Sequence, residues 1–137
     1  MNIKKLLLGS IAGGIATFLS GWLIYGILLA DFFTKNVGSA TGVTKNPPDF
    51  LWLGLGNIFL SALVTYIFLK WANIQTFAEG AMAGAVIGLL MGLGIDFSLY
   101  GTSNMSNLTA AIVDGLLTGV QGAVSGAVVG WVLGRNI

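Results

Sequence analysis

The sequence predicts one domain, residues 1–137, that folds as an all-α integral membrane four-helix bundle with glycine-rich, tightly packed helices. Hydrophobic residues make up 55% of the chain and charged residues only 8%, and the mean hydropathy is +0.90. A soluble domain needs more charge to keep its surface hydrated. Four apolar segments each reach the roughly 20 residues that cross a bilayer as a helix. Their glycine-rich sequences show no period-two alternation, which favours helices over strands.

The first apolar segment covers about 6–30 and follows two lysines. Its start is similar to a secretory signal, because positive charge precedes an apolar run that contains small residues. The apolar run nevertheless continues to Ala30, and its roughly 25 residues are long enough to cross a bilayer. We therefore predict an uncleaved first membrane helix.

The other three segments cover about 50–69, 77–95 and 108–133, and polar, turn-rich sequences separate them. The motif NPPD interrupts the chain immediately before the second segment and is expected to start its helix. Thr76 and Glu79 have the spacing of a capping box before the third segment. Each predicted helix therefore has a local signal or a polar boundary at its ends.

The basic residues predict the orientation of the bundle. Positively charged residues near membrane helices favour the cytoplasmic side. Four of them share the side of the two termini and two lie on the other side, which predicts both termini in the cytoplasm: Lys4, Lys5, Lys70 and Arg135 against Lys35 and Lys45.

Glycines form ridges along the third and fourth segments. In lipid, small residues at four-residue spacing let two helix backbones approach closely. The ridges therefore predict tight helix pairing, with a helix of the same chain or of another subunit as the partner. Their residues are Gly80, Gly84, Gly88 and Gly92 in the third segment and Gly115, Gly119, Gly122, Gly126 and Gly130 in the fourth.

Polar residues form stripes on three of the four segments, and polar groups in hydrocarbon need partners, so these faces are expected to turn inward. Two functions fit them: hydrogen bonds between helices, each contributing about 0.6 kcal/mol, or a path for a solute or ion. The stripes are Ser10, Gly14, Thr17, Gly21 and Tyr25; Gly54, Asn57, Ser61 and Thr65; and Asp114, Thr118, Gln121 and Ser125.

Four aspartates, Asp31, Asp49, Asp96 and Asp114, belong to the outer half in this topology. Asp31 and Asp96 are predicted at the C-terminal ends of the first and third helices, where the helix dipole disfavours negative charge. Solvation at the membrane edge is one explanation for these positions. The other is an acidic mouth that attracts cations or binds an amine, a proton or a metal.

Asp114 has two possible positions. If the fourth helix begins near Leu108, Asp114 lies about 9 Å along it, at a depth similar to Asn57 and Tyr25, and the three form a candidate polar or ion site. If the helix begins at Gly115, Asp114 is only its N-cap. The embedded cluster is favoured, because acids inside membranes are usually functional.

Composition also excludes several classes of function. The chain has no cysteine and no histidine, which removes thiolate metal sites, a catalytic cysteine, the commonest general base and the commonest transition-metal ligand. A net charge of +1 lacks the basic footprint of a nucleic-acid-binding protein. Neither an enzyme activity nor a cofactor or structural metal is therefore expected.

A short motif gives the chain a resemblance to a known family. Gly21, Trp22 and Tyr25 form a glycine-tryptophan-x-x-tyrosine element late in the first segment, and Asp114-Gly115 opens the fourth. The chain resembles a family of small bacterial four-helix membrane proteins of unknown function. This resemblance implies a four-helix fold in the bacterial inner membrane and no known activity.

Two functions are compatible with these observations. The favoured one is an interaction or structural protein, or a subunit of a membrane complex, that contacts the lipid bilayer and pairs through its glycine faces, as a homo-oligomer or with another protein. The alternative is a small oligomeric transporter or channel for a proton, a cation or a small polar solute, which uses the outer acidic and polar cluster.

Overall fold

A computed structural model describes residues 1–137 as an all-helical chain without β-strands. Four of its helices are long and apolar enough to cross a membrane: Ile3–Leu28, Phe50–Ala72, Phe77–Thr102 and Leu108–Leu133. The elements are α1 (Ile3–Gly21) with a π-helical continuation (Trp22–Leu28), the short α2 (Ala30–Lys35), α3 (Phe50–Ile67) with a π-helical continuation (Phe68–Ala72), α4 (Phe77–Thr102) and α5 (Leu108–Leu133).

Two of the predicted helix ends are wrong, and both change the environment of an aspartate. α4 continues past residue 95 to Thr102, because apolar length marks the part in hydrocarbon and not the end of the helix. Asp96 is therefore inside α4 and not at its C-terminus. The first helix stops at Leu28, and Asp31 lies in the first turn of α2, the end of a helix at which the dipole favours negative charge.

The capping signals before the second and third predicted helices mark real helix starts. The Thr76 hydroxyl accepts a hydrogen bond from the Glu79 amide at 3.2 Å and donates one to the Glu79 carboxylate at 3.0 Å. Asp49 occupies the N-cap position of α3, but its side chain makes no capping hydrogen bond. The negative charge of Asp49 is therefore stabilised only by its proximity to the positive end of the helix dipole.

The glycine ridges of α4 and α5 pack against each other within one chain. Gly80 and Gly84 lie against the backbone of Gly126, and Gly84 also touches the Gly122 carbonyl. Nearer the other end, Gly92 lies against Gly115. Because the contacts join backbone to backbone, a side chain larger than glycine has no room there. These two antiparallel helices form the most extensive interface of the bundle.

Helix α1 packs between α3 and α5 through its own glycines. Gly9 lies against Thr65, and Gly14 lies against the backbone of Ile58. Gly13 meets side chains of two helices, Ser61 of α3 and Ser125 of α5. The small residues of the first predicted polar stripe therefore turn inward.

The two chain termini share one end of the bundle. The Lys5 ammonium donates a hydrogen bond of 2.7 Å to the Leu133 carbonyl at the C-terminal end of α5, where the helix dipole favours a positive charge. A small apolar core lies near this end, and its buried residues are Val64, Phe68, Val129 and Leu133.

The opposite end, called the distal end below, carries residues 29–49 and 103–107. Here the two connecting segments hydrogen-bond to each other. The Gly38 amide donates to the Met105 carbonyl and the Ala40 amide donates to the Asn104 carbonyl. The side chain of Asn107 also donates to the side chain of Asn36 at 3.0 Å. The distal end is therefore covered by paired backbone, although no strand extends beyond a single bridge.

Candidate functional site

Asp114 lies in the second turn of α5, because that helix begins at Leu108. The Asn107 side chain caps it by accepting a hydrogen bond of 2.8 Å from the Ala110 amide. The interpretation of Asp114 as an N-cap is therefore wrong, and its carboxylate belongs to the helix interior.

Tyr25 is the direct partner of Asp114. Its hydroxyl donates a hydrogen bond of 2.5 Å to Asp114 Oδ1, which joins the π-helical continuation of α1 to α5. The ring of Phe33 from α2 packs on Tyr25 with their centroids 5.2 Å apart. Three elements therefore fix the position of the tyrosine hydroxyl.

Asn57 does not join this pair, contrary to the cluster predicted from depth. Its side-chain amide donates to the Leu53 carbonyl of its own helix at 2.9 Å. Equal depth in the membrane did not predict a contact, because α3 contacts α5 mainly near the end of the bundle that carries the chain termini. There Phe68 and Val64 meet Val129. At the distal end α1 lies between the two helices.

Asp96 takes the place predicted for Asn57. Its side chain comes from α4 and lines the same cavity as Asp114. Together with Tyr25 and Phe33, the two acids line a cavity of about 230 Å³ at the distal end. Asp31, the third predicted acid, is exposed on α2 and does not line this cavity.

Two further cavities follow toward the middle of the bundle. One of about 380 Å³ lies between the π-helical continuation of α1 and the start of α3, and Tyr25 lines both it and the acidic cavity. The next, of about 130 Å³, shares Thr17, Asn57 and Gln121 with the second. The shared lining residues show that the three cavities are neighbours and form a row.

The polar stripe of α5 lies along this row and bonds mainly to backbone. The Thr118 hydroxyl donates to the Asp114 carbonyl one turn earlier, at 2.8 Å. The Gln121 amide donates to the Thr17 carbonyl at 3.2 Å and the Ser125 hydroxyl to the Gly13 carbonyl at 3.4 Å. Gln121 and Ser125 therefore join α5 to α1, as hydrogen bonds between membrane helices do.

Helix α3 is attached to α1 in the same way. The Ser61 hydroxyl donates to the Gly9 carbonyl at 3.3 Å, while the Thr65 hydroxyl returns to the Ser61 carbonyl of its own helix. No buried side-chain nitrogen or oxygen lacks a hydrogen-bond partner. The deep hydroxyls are thus satisfied by protein, and the groups free to bind a solute lie nearer the distal end.

Sequence reasoning missed two contributors to this site. Phe33 lies in α2, a short helix that interrupts what the sequence presented as a polar loop. The π-helical backbone of Trp22–Leu28 was also missed, because π-helical turns have no simple sequence pattern. Such turns are frequent at functional sites, and the Gly21, Trp22 and Tyr25 motif lies at the start of this one.

The length and composition of the four long helices indicate a multi-pass helical membrane protein, and its acidic cavity lies at the distal end. No group of three His, Cys, Asp or Glu side chains comes together in it. Comparisons of the chain with protein-family models, with curated proteins and with solved structures give no match. The resemblance to small bacterial four-helix proteins stays a prediction.

Proposed function

We propose that this protein is a small membrane carrier or channel that binds a cation or proton at its distal end. The observation that carries the proposal is the row of three cavities, which runs from Asp96 and Asp114 to Gln121 and into the bundle. Polar side chains from α1, α3, α4 and α5 line this row. A protein that served only to pack helices has no need of adjacent cavities along its polar faces.

The acid pair supplies the attraction for positive charge. Asp96 and Asp114 line one small cavity, where two carboxylates repel each other and a bound cation or a shared proton relieves this repulsion. The interaction is stronger away from bulk water, because the effective dielectric constant is lower there. No Lys or Arg side chain lines any of the three cavities to neutralise the acids.

The proposed orientation has both termini in the cytoplasm and the distal end outside, in the inner membrane of a bacterium. Because the chain has no cysteine, single-cysteine variants give an unambiguous test. We expect a membrane-impermeant maleimide to label Lys45→Cys in intact cells, and Asn136→Cys only after lysis. The reverse pattern would place the distal end in the cytoplasm.

The cation site is tested with Asp114→Asn and Asp96→Asn, which keep side-chain size and remove charge. We expect each variant to weaken binding of Na⁺, K⁺ or tetramethylammonium by tenfold or more, measured by calorimetry on the purified chain. Repeating the titrations in two buffers of different ionisation enthalpy reports whether a proton leaves as the cation binds.

Asp31→Asn is the matched control, because this acid is exposed and does not line the cavity. Its affinity for the same cations is expected to equal that of the unmodified protein. Unchanged affinity in both Asp96→Asn and Asp114→Asn would contradict the proposed site.

A second candidate function is that of a membrane-complex subunit or homo-oligomer. The glycine ridges no longer support it, because they pack within the chain. The observation in its favour is that α3 and α4 make no extended contact, so the cavity lined by Leu60 and Met91 lies in a groove between them. If the titrations showed no cation binding that depends on Asp96 or Asp114, the role of a complex subunit or homo-oligomer would be the better-supported one.

A further inference from the structure

The middle cavity of the row, with a volume of about 380 Å³, has aromatic walls. Phe18, Trp22 and Tyr25 come from the first membrane helix, and Phe50 comes from the start of α3. The rings of Phe18 and Phe50 meet edge to face with their centroids 6.3 Å apart. A volume of this size is within the range of cavities that bind small organic molecules.

The polar groups of this cavity offer acceptors. Gln121 and Asn57 each use a side-chain N–H for a backbone carbonyl, of Thr17 and Leu53 respectively. Their amide oxygens accept no hydrogen bond from the protein and remain free for a donor. Since no basic side chain lines the cavity, the site presents ring faces and oxygen acceptors together.

Tyr25 connects these walls to the acid pair. Its ring lines the aromatic cavity while its hydroxyl binds Asp114 Oδ1. A positive charge placed against the ring is therefore attracted by the π face and by the carboxylates beyond it. An anion in the same place would be repelled by Asp96 and Asp114.

The same chemistry excludes a bare metal ion. Hard cations require several oxygen ligands, and two free amide oxygens among aromatic walls are too few. Trp22 is also 57% exposed on the outside of the bundle, so the cavity is bordered by a side chain that faces lipid. A molecule that partitions into the membrane interface can reach it from that side.

We propose that this cavity binds an organic cation, an amine or a quaternary onium ion with an apolar body. The inference rests on the proposed function, because the acid pair provides the charge that the cation balances. It narrows the solute from any cation to an organic one. The rings of Trp22 and Tyr25 and the free amide oxygens of Gln121 and Asn57 hold this cation. Asp114 lies behind the tyrosine and supplies negative charge.

The test compares two ions of equal shape and opposite charge, tetraphenylphosphonium and tetraphenylborate. The full chain is held in nanodiscs of neutral lipid, and calorimetric heats from empty nanodiscs are subtracted. We expect tetraphenylphosphonium to bind at least tenfold more tightly than tetraphenylborate. Trp22→Leu, which keeps an apolar side chain and removes the π face, is expected to weaken tetraphenylphosphonium binding at least tenfold.

Trp52→Leu is the matched control, because Trp52 is exposed and lines none of the three cavities. Equal binding of the two ions, or unchanged binding in Trp22→Leu, would overturn the organic-cation assignment. If tetramethylammonium or Na⁺ still bound in an Asp114-dependent manner, the proposed function would survive that failure. If no cation bound, both proposals would fail. Trp22→Phe, which restores a ring, is expected to recover most of the affinity.

Discussion

Gly84→Leu is expected to lower the free energy of unfolding by about 3 kcal/mol or more, the upper range for overpacking a tight interface. A Cβ atom at this position would meet the Gly122 carbonyl oxygen and would lie 2.9 Å from the Gly126 Cα. Backbone atoms have no alternative rotamer, so α4 must move away from α5. That movement separates the remaining glycine contacts along both helices.

The measurement is unfolding of the purified chain by SDS in mild detergent, followed by circular dichroism. Gly94→Leu is the matched control, because Gly94 lies in the same helix and a Cβ there has nothing within 4 Å. It is expected to unfold close to the unmodified chain. Gly119→Ala provides a graded comparison, since its Cβ would lie 3.2 Å from the Leu89 Cβ. Equal stability of Gly84→Leu and Gly94→Leu would refute close packing of the two ridges.

The ridges show what the sequence does and does not determine. Four-residue spacing predicts which face of α4 packs, because residues four apart lie on one side of a helix. It does not identify the partner, since any small-residue face is equally complementary. The short connection at 103–107 supplies the missing information, because consecutive helices joined by a short segment pack as antiparallel neighbours.

The proximity of Asp96 and Asp114 depends on the register between α4 and α5, and no local sequence pattern encodes that register. Each step of four residues along α4 matches a step of about four in the opposite direction along α5: Gly84 lies against Gly122, Gly88 against Thr118 and Gly92 against Gly115. Continuing one turn places Asp96 opposite Ala111, one turn of α5 from Asp114, and all three residues line the same cavity. The sequence showed both acids and both ridges, but the register that joins them is set by the whole interface.

The predicted proximity of Asp114 and Tyr25 is confirmed by their hydrogen bond. Unlike the pairing of Asp96 with Asp114, it did not require the register between two helices. Both residues were placed from distance along a helix, which follows from helix rise once the start of the helix is known. The side chain of Asn107 fixes that start for α5. Depth failed for Asn57 because two residues at equal depth meet only if their helices are neighbours there.

Gly13→Ala is expected to lower the free energy of unfolding by about 2 kcal/mol, within the usual range for overpacking. Here the added Cβ meets side chains and not backbone: Ser61 Oγ, Val129 Cγ2 at 2.6 Å and Ser125 Oγ at 3.1 Å. The cost at this three-helix junction therefore depends on which side chains surround it. At Gly84 no side-chain change can restore the packing.

This difference is tested by a double-mutant cycle with Ser61→Ala, read from the same SDS unfolding curves. Ser61→Ala alone loses a hydrogen bond to the Gly9 carbonyl, with an expected cost of about 0.6 kcal/mol. In Gly13→Ala/Ser61→Ala the added methyl group occupies the space of the missing hydroxyl, so a favourable coupling of about 1 kcal/mol is expected. Recovery stays partial because Val129 still contacts the new Cβ.

Gly56→Ala is the matched control, because its Cβ would have nothing within 4 Å, and it measures the effect of the alanine substitution itself. If the two costs were strictly additive, Gly13 would not be in contact with Ser61. The packing of α1 between α3 and α5 would then be wrong, and so would the inward orientation of the polar faces that line the cavities.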